Sequence, residues 1–138
     1  MTGPALPRPR LRGVSHQLAF VSALTLAPLM IVAAPGVASR FVLAIYVFAI
    51  VGLFGISALY HRRSWGERGR IVMRRLDHSM IFVTIAATYT PIAVFALDQG
   101  TTRWILPTVW IGAALGIVSR LVWIAAPSPL IAAPYLAL

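Results

Sequence analysis

The sequence contains no cysteine and no lysine, and only three of its 138 residues are acidic. Without cysteine, neither a disulfide framework nor a thiolate metal site can form. Charged residues make up 11% of the chain, whereas 59% of the residues are hydrophobic and the mean hydropathy is +0.86. A soluble domain of this length could not bury so much apolar surface, so the composition indicates an integral membrane protein.

The basic charge is carried entirely by arginine, which gives a net charge of +9. Such a charge can indicate nucleic-acid binding, but here the arginines form short clusters between apolar runs. Clusters in that position are explained better by membrane topology and by anionic lipid headgroups. We therefore expect membrane lipids as partners, with anionic headgroups at the arginine-rich segment 62–75, and no nucleic acid. Alanine-rich composition with arginine in place of lysine is typical of a GC-rich bacterial genome.

Four apolar runs are long enough to cross about 30 Å of hydrocarbon as helices. Residues 1–13, rich in proline and arginine, are predicted to be a tail, and residues 14–138 the transmembrane domain. The last nine residues resemble the start of a fifth span, which would need about 20 residues, so we expect a C-terminally truncated chain. The prediction is an all-α integral membrane helical bundle with spans at 14–34, 41–60, 76–97 and 104–124 and a partial span at 130–138.

The arginine distribution predicts the orientation. With the N-terminus inside, ten arginines face the cytoplasm, and only Arg40 and Arg103 lie outside. This asymmetry favours a multi-pass protein of the bacterial inner membrane with a cytoplasmic N-terminus. A signal peptide is the alternative for the first run, but that run exceeds the usual 7–15 apolar residues and three more spans follow.

The most informative residues lie where the second and third spans meet the arginine-rich segment. Ser57 and His61 are four residues apart and share a helix face, and Asp77 opens the next span at a similar depth. A hydroxyl, an imidazole and a carboxylate together are typical of a zinc-activated water site. On spacing alone a structural role is favoured, with His61 at a helix C-terminus and Asp77 as an N-terminal carboxylate or a partner of a nearby arginine.

Other polar and small residues have simpler explanations. His16 and His78 are expected to be interfacial or structural, since His78 is turned about 100° from Asp77 on a helix. Thr84, Thr88 and Thr90 should form hydrogen bonds with neighbouring helices. The GxxxG pattern at 112–116 predicts close helix packing, either within the chain or between copies, which leaves a homo-oligomer open.

Three segments, taken in order, resemble the hemolysin III family, the bacterial branch of the progestin and adiponectin receptor superfamily. They are RGVSH at 12–16, GISALYH at 55–61, and RLDHSMIF at 75–82 running on to IAATYTP at 85–91. The resemblance covers the chain from Arg12 onward. It implies a seven-helix membrane fold with a cytoplasmic N-terminus.

The resemblance also implies a site. In the superfamily, which includes alkaline ceramidases, a Ser-x-x-x-His motif, an aspartate of the third helix and a His-x-x-x-His pair on the last helix form a zinc site. By that resemblance His61 is a metal ligand, Ser57 a catalytic-site hydroxyl, and Asp77 a partner of the zinc-bound water. The last two histidines have no counterpart here, so we expect zinc to bind this chain weakly or not at all.

Three functions follow as hypotheses. The first is a zinc-dependent membrane-lipid homeostasis protein or lipid-amide hydrolase, metal-deficient as this truncated chain. The second is a channel or pore-forming, cytolytic protein, for which the spans lack a recurrent polar stripe apart from Thr84 and Thr88. The third is a non-enzymatic membrane receptor or scaffold whose polar layer senses lipid or a partner.

Overall fold

The computed structural model describes residues 11–122, which form four helices and the short connections between them. The helices are α1 (Val14–Ala33), α2 (Gly36–Arg62), α3 (Glu67–Ala96) and α4 (Gln99–Val122). Each is long and apolar enough to cross a membrane. The predicted all-α membrane bundle is confirmed for the part of the chain described. The tail residues 1–10, the partial span 130–138 and the last two residues of the fourth predicted span lie outside the described residues.

Consecutive helices pack as antiparallel neighbours, α1 on α2, α2 on α3 and α3 on α4. All three histidines therefore lie at one end of the bundle, which we call the histidine end. It comprises the start of α1, the end of α2, the first half of α3 and the end of α4. Glycines allow the close approach: a Cβ on Gly55 would meet the ring of Phe20 of α1, and a Cβ on Gly52 would meet Met80 of α3.

The best-buried core lies between α3 and α4. Phe82 and Ala86 pack there against Val109 and Ala113. Gly116, the second glycine of the predicted GxxxG pattern, lies under the Phe82 ring. The glycine therefore serves packing within this chain. Outside this core many large apolar side chains are exposed, as expected for surfaces that face lipid.

Only two of the three threonines of α3 form hydrogen bonds with a neighbouring helix. Thr84 donates to the carbonyl of Ala49 on α2 at 3.4 Å, and Thr90 accepts from the indole of Trp110 on α4 at 3.2 Å. Thr88 instead donates to the Thr84 carbonyl of its own helix. The prediction for this stripe holds at two of its three positions.

The arginine-rich segment 62–75 is mostly helical, whereas the sequence predicts it as a hydrophilic connection between the second and third spans. Helix α3 begins at Glu67, so the connection is only residues 63–66. The segment from Glu67 contains no proline, and arginine is a good helix former, so nothing prevents the helix from extending beyond its apolar run. Trp65 closes the connection by donating from its indole to the Leu59 carbonyl at 3.1 Å.

The opposite end of the bundle is held by side-chain capping. Arg40 lies inside α2, which begins at Gly36, and donates to the Ala34 carbonyl at the end of α1 at 3.2 Å. Asp98 caps α4 by accepting from the Thr101 hydroxyl and backbone N–H. These hydrogen bonds lower the pKa of the exposed Asp98 carboxyl, so the cap is retained until the pH falls through that lowered value.

Candidate functional site

Ser57 and His61 both lie near the C-terminal end of α2, as the sequence predicts. Ser57 is buried, with 5% of its surface exposed, and His61 is half-buried in the last turn, one residue before the helix ends at Arg62. Since a helix C-terminus carries a partial negative charge, this position favours a cationic or hydrogen-bonding side chain. That position is compatible both with a structural role of His61 at the helix C-terminus and with a role in a functional site.

Asp77 does not open its helix, contrary to the sequence-based expectation. Ten residues of α3 precede it, and the carboxylate in the first turn is Glu67. The early start of α3 moves Asp77 inward, where it is half-buried. Helices α2 and α3 pack against each other, so Asp77 and His61 lie at the same end of the bundle.

The start of α1 closes the site from the other side. Arg12 donates from Nε to Nδ1 of His61 at 3.2 Å, and the rings of His16 and His61 are 5.7 Å apart. Gly13 makes the approach sterically feasible, because a Cβ there would lie 2.7 Å from the His61 Cβ. Its positive φ of 78° also favours glycine. A cation and a second imidazole, Arg12 and His16, thus lie against His61 on its α1 side.

His78 belongs to a different environment, on the side of α3 that faces α4. Its Nδ1 is hydrogen-bonded to Nη2 of Arg120. Arg120 is 7% exposed, and its Nε and Nη1 have no hydrogen-bond partner among the described residues. From the sequence, Arg120 is one of the ten arginines predicted to face the cytoplasm. Its spacing of four from Gly116 placed it on the packing face and could have shown that it is buried.

A polar cavity of 420 Å³ lies beside His61 at the histidine end. Four arginines contribute to its wall, together with Tyr60, Trp65 and a single carboxylate, Glu67. The arginines are Arg12, Arg63, Arg70 and Arg74. The predicted site therefore adjoins a strongly cationic recess.

The residues present do not fit a complete zinc site. Every histidine and carboxylate of the sequence lies within the described residues, and no three of them could hold a metal ion together. At His61, Nδ1 accepts from Arg12, so the neutral ring carries its proton on Nε2. The described residues therefore supply fewer ligands than the three that a catalytic zinc site usually has.

Comparison with known proteins identifies the family. No solved structure matches this chain. The model of the family described as haemolysin-III related matches residues 5–138, which is nearly the whole sequence. With four membrane-length helices and a polar site at one end of the bundle, the chain belongs to the haemolysin III-related family of membrane proteins.

Proposed function

We propose that this protein acts in membrane-lipid homeostasis, through the polar site formed at the histidine end by Ser57, His61 and Asp77. The observation that carries the proposal is that His61 and Asp77 lie at the same end of two packed, membrane-length helices. Ionisable groups at such a position are costly to bury and mark functional sites. A site at the end of a lipid-exposed bundle is accessible to lipid headgroups.

The chemistry of the three side chains suits recognition of a polar lipid headgroup. Asp77 accepts hydrogen bonds, His61 donates from Nε2 in its present tautomer, and the Ser57 hydroxyl does both. Zinc-dependent hydrolysis of a lipid amide would need two more protein ligands, since catalytic zinc sites use three. The described residues do not support that mechanism by themselves.

Two alternatives receive less support. A channel would need polar groups lining a path, but the hydroxyls of Thr84 and Thr88 are bonded to backbone carbonyls. A receptor or scaffold would use the same polar layer without changing lipid composition. Measuring that composition separates a receptor from a homeostasis protein.

The test is expression of the protein in a bacterial host, followed by quantification of the lipid classes by mass spectrometry. We expect the wild type to shift the lipid profile and Ser57→Ala, His61→Ala and Asp77→Asn to abolish the shift. Asp98→Asn is the matched control, because it makes the same change at the opposite end of the bundle. An unchanged profile with well-expressed wild type, or equal loss in the control, would contradict the proposal.

Zinc content of the purified protein decides between homeostasis without metal and metal-dependent hydrolysis. Elemental analysis should find well below one zinc per chain, because no three histidines and carboxylates of the described residues could hold a metal ion together. A value near one per chain, lost in His61→Ala, would overturn the argument from ligand count. Lipid-amide hydrolysis would then become the leading function.

We further propose that the histidine end faces the cytoplasm of the bacterial cell. Eight arginines of the described residues lie at this end, and Arg40 and Arg103 lie at the other. Because the chain has no cysteine, single cysteines report topology directly. In intact spheroplasts a membrane-impermeant maleimide should label Arg103→Cys and spare Arg68→Cys; the reverse pattern would show the opposite orientation.

A further inference from the structure

Two cavities at the histidine end differ sharply in character and share one wall residue. The first is the arginine-lined cavity of 420 Å³ beside His61. The second, of 630 Å³, lies between α1 and α2 and is lined mainly by apolar groups, including Phe20, Gly52 and Ile56. Arg63 lines both cavities. A polar and an apolar compartment therefore meet at Arg63.

The apolar cavity exists because of side-chain size on α2. Gly55 removes side-chain volume from the surface of α2 that faces α1, and Gly52 also lines the cavity. Phe20 fills only part of that space, against Gly55. Gln17 and two arginines, Arg62 and Arg63, lie at the histidine end of this groove. The groove thus runs along the helices beneath a cationic edge, in the direction that an acyl chain takes in a bilayer.

The polar cavity is built to receive negative charge. Four arginines and one carboxylate line it, so its wall carries an excess of three positive charges. Arg63 lies 5.3 Å from the centroid of the Trp65 ring, a cation–π distance, and it lines both cavities. Arginine binds phosphate through paired N–H groups, which makes phosphate the ligand chemistry this wall fits best.

We propose that the two cavities together bind one anionic phospholipid. Its phosphate lies among Arg63, Arg70 and Arg74, and one acyl chain lies in the groove between α1 and α2. The volumes are within the range of ligand pockets, roughly 300–1,000 Å³. The site goes beyond the proposed function, because it predicts stable binding of a lipid class and requires no turnover at Ser57, His61 or Asp77.

The test is native mass spectrometry of the purified protein released from nanodiscs that contain either phosphatidylglycerol or phosphatidylcholine. We expect one phosphatidylglycerol retained per chain and little phosphatidylcholine. Arg70→Gln with Arg74→Gln should weaken retention about 10- to 30-fold, from about 1 kcal/mol for each arginine near an anionic surface. Size-exclusion chromatography first confirms that each variant remains folded.

The matched control is Arg68→Gln with Arg103→Gln. Both residues are exposed and outside the cavity, and the double change removes the same net charge. Equal loss of phosphatidylglycerol in the two double variants would show bulk attraction and overturn the site. Equal retention of phosphatidylcholine would overturn the selectivity for an anionic lipid.

Soluble anions distinguish a lipid from free phosphate. Glycerol 3-phosphate and inorganic phosphate share the headgroup chemistry but cannot fill the groove, so neither should displace phosphatidylglycerol at millimolar concentration. Displacement by either would overturn the lipid assignment in favour of a free phosphate ligand. Gln17→Trp, which narrows the groove at an exposed position, should reduce lipid retention; no reduction would exclude an acyl chain there. These binding results do not depend on the lipid-profile or zinc experiments.

Discussion

Replacing Gly116 with valine is expected to disrupt the packing of α3 on α4 and to produce one of the largest losses of stability in the chain. A Cβ at this position would come within 3.0 Å of three ring carbons of Phe82, a distance that real Cβ atoms essentially never show. Phe82 is 1% exposed, so its ring has no free space to enter. The helices would have to separate, which exposes the Phe82, Ala86 and Ala113 core.

Helix propensity favours the replacement of Gly116, but this gain is smaller than the cost of the steric clash with Phe82. Glycine in a helix is less favourable than alanine by about 1 kcal/mol, so Gly116→Ala gains that amount locally. Overpacking a close-packed core costs about 1–3 kcal/mol, and more for the branched valine side chain. We therefore expect Gly116→Ala to be mildly destabilising and Gly116→Val strongly so.

Thermal unfolding in detergent, followed by circular dichroism, measures the effect. Ala114→Val is the matched control, because it places valine two residues away on an exposed position of the same helix. It should leave the midpoint nearly unchanged. Phe82→Leu should partly restore the Gly116→Ala variant by removing the ring. If Gly116→Val melts at the wild-type temperature, the close contact between α3 and α4 is wrong.

Much of this fold could be predicted from the sequence because hydropathy and helix length are local properties. The apolar runs gave all four helices, and the spacing of Ser57 and His61 gave their shared position at the end of α2. The start of α3 at Glu67 was missed, because the span was defined by hydropathy and the arginines before Leu76 are polar yet helix-forming. Helical propensity, not apolarity, decides that boundary.

The surroundings of the candidate site depend on contacts that no local pattern records. Arg12 reaches His61 across 49 residues of sequence, and Arg120 reaches His78 across 42. The sequence indicates that His61 and Asp77 lie at the same end of the bundle, because a short connection between two spans makes their helices antiparallel neighbours. It could not show that Arg12 takes the Nδ1 position of His61.

Removing the His78 imidazole should cost more stability than removing the buried charge that it contacts. In the structure Nδ1 of His78 accepts from Arg120, whose guanidinium is almost fully enclosed and whose Nε and Nη1 have no hydrogen-bond partner among residues 11–122. His78→Ala removes the hydrogen bond that this cation makes within the described part of the chain, and a hydrogen bond to a charged group contributes about 1.5–3 kcal/mol. Arg120→Met removes the charge and keeps the apolar stem, a change that is often neutral or stabilising at buried ionic sites.

A double-mutant cycle tests this coupling. We expect His78→Ala to lower the free energy of unfolding by about 1.5–3 kcal/mol in the wild type and by at least about 1 kcal/mol less in the Arg120→Met background. Arg103→Met, the same change at an exposed arginine, is the control for loss of positive charge. Additive effects of His78→Ala and Arg120→Met would show that the two side chains do not interact. A more stable Arg120→Met protein would show that the buried arginine is retained at a cost in stability, which is typical of a charge kept inside a membrane bundle for function.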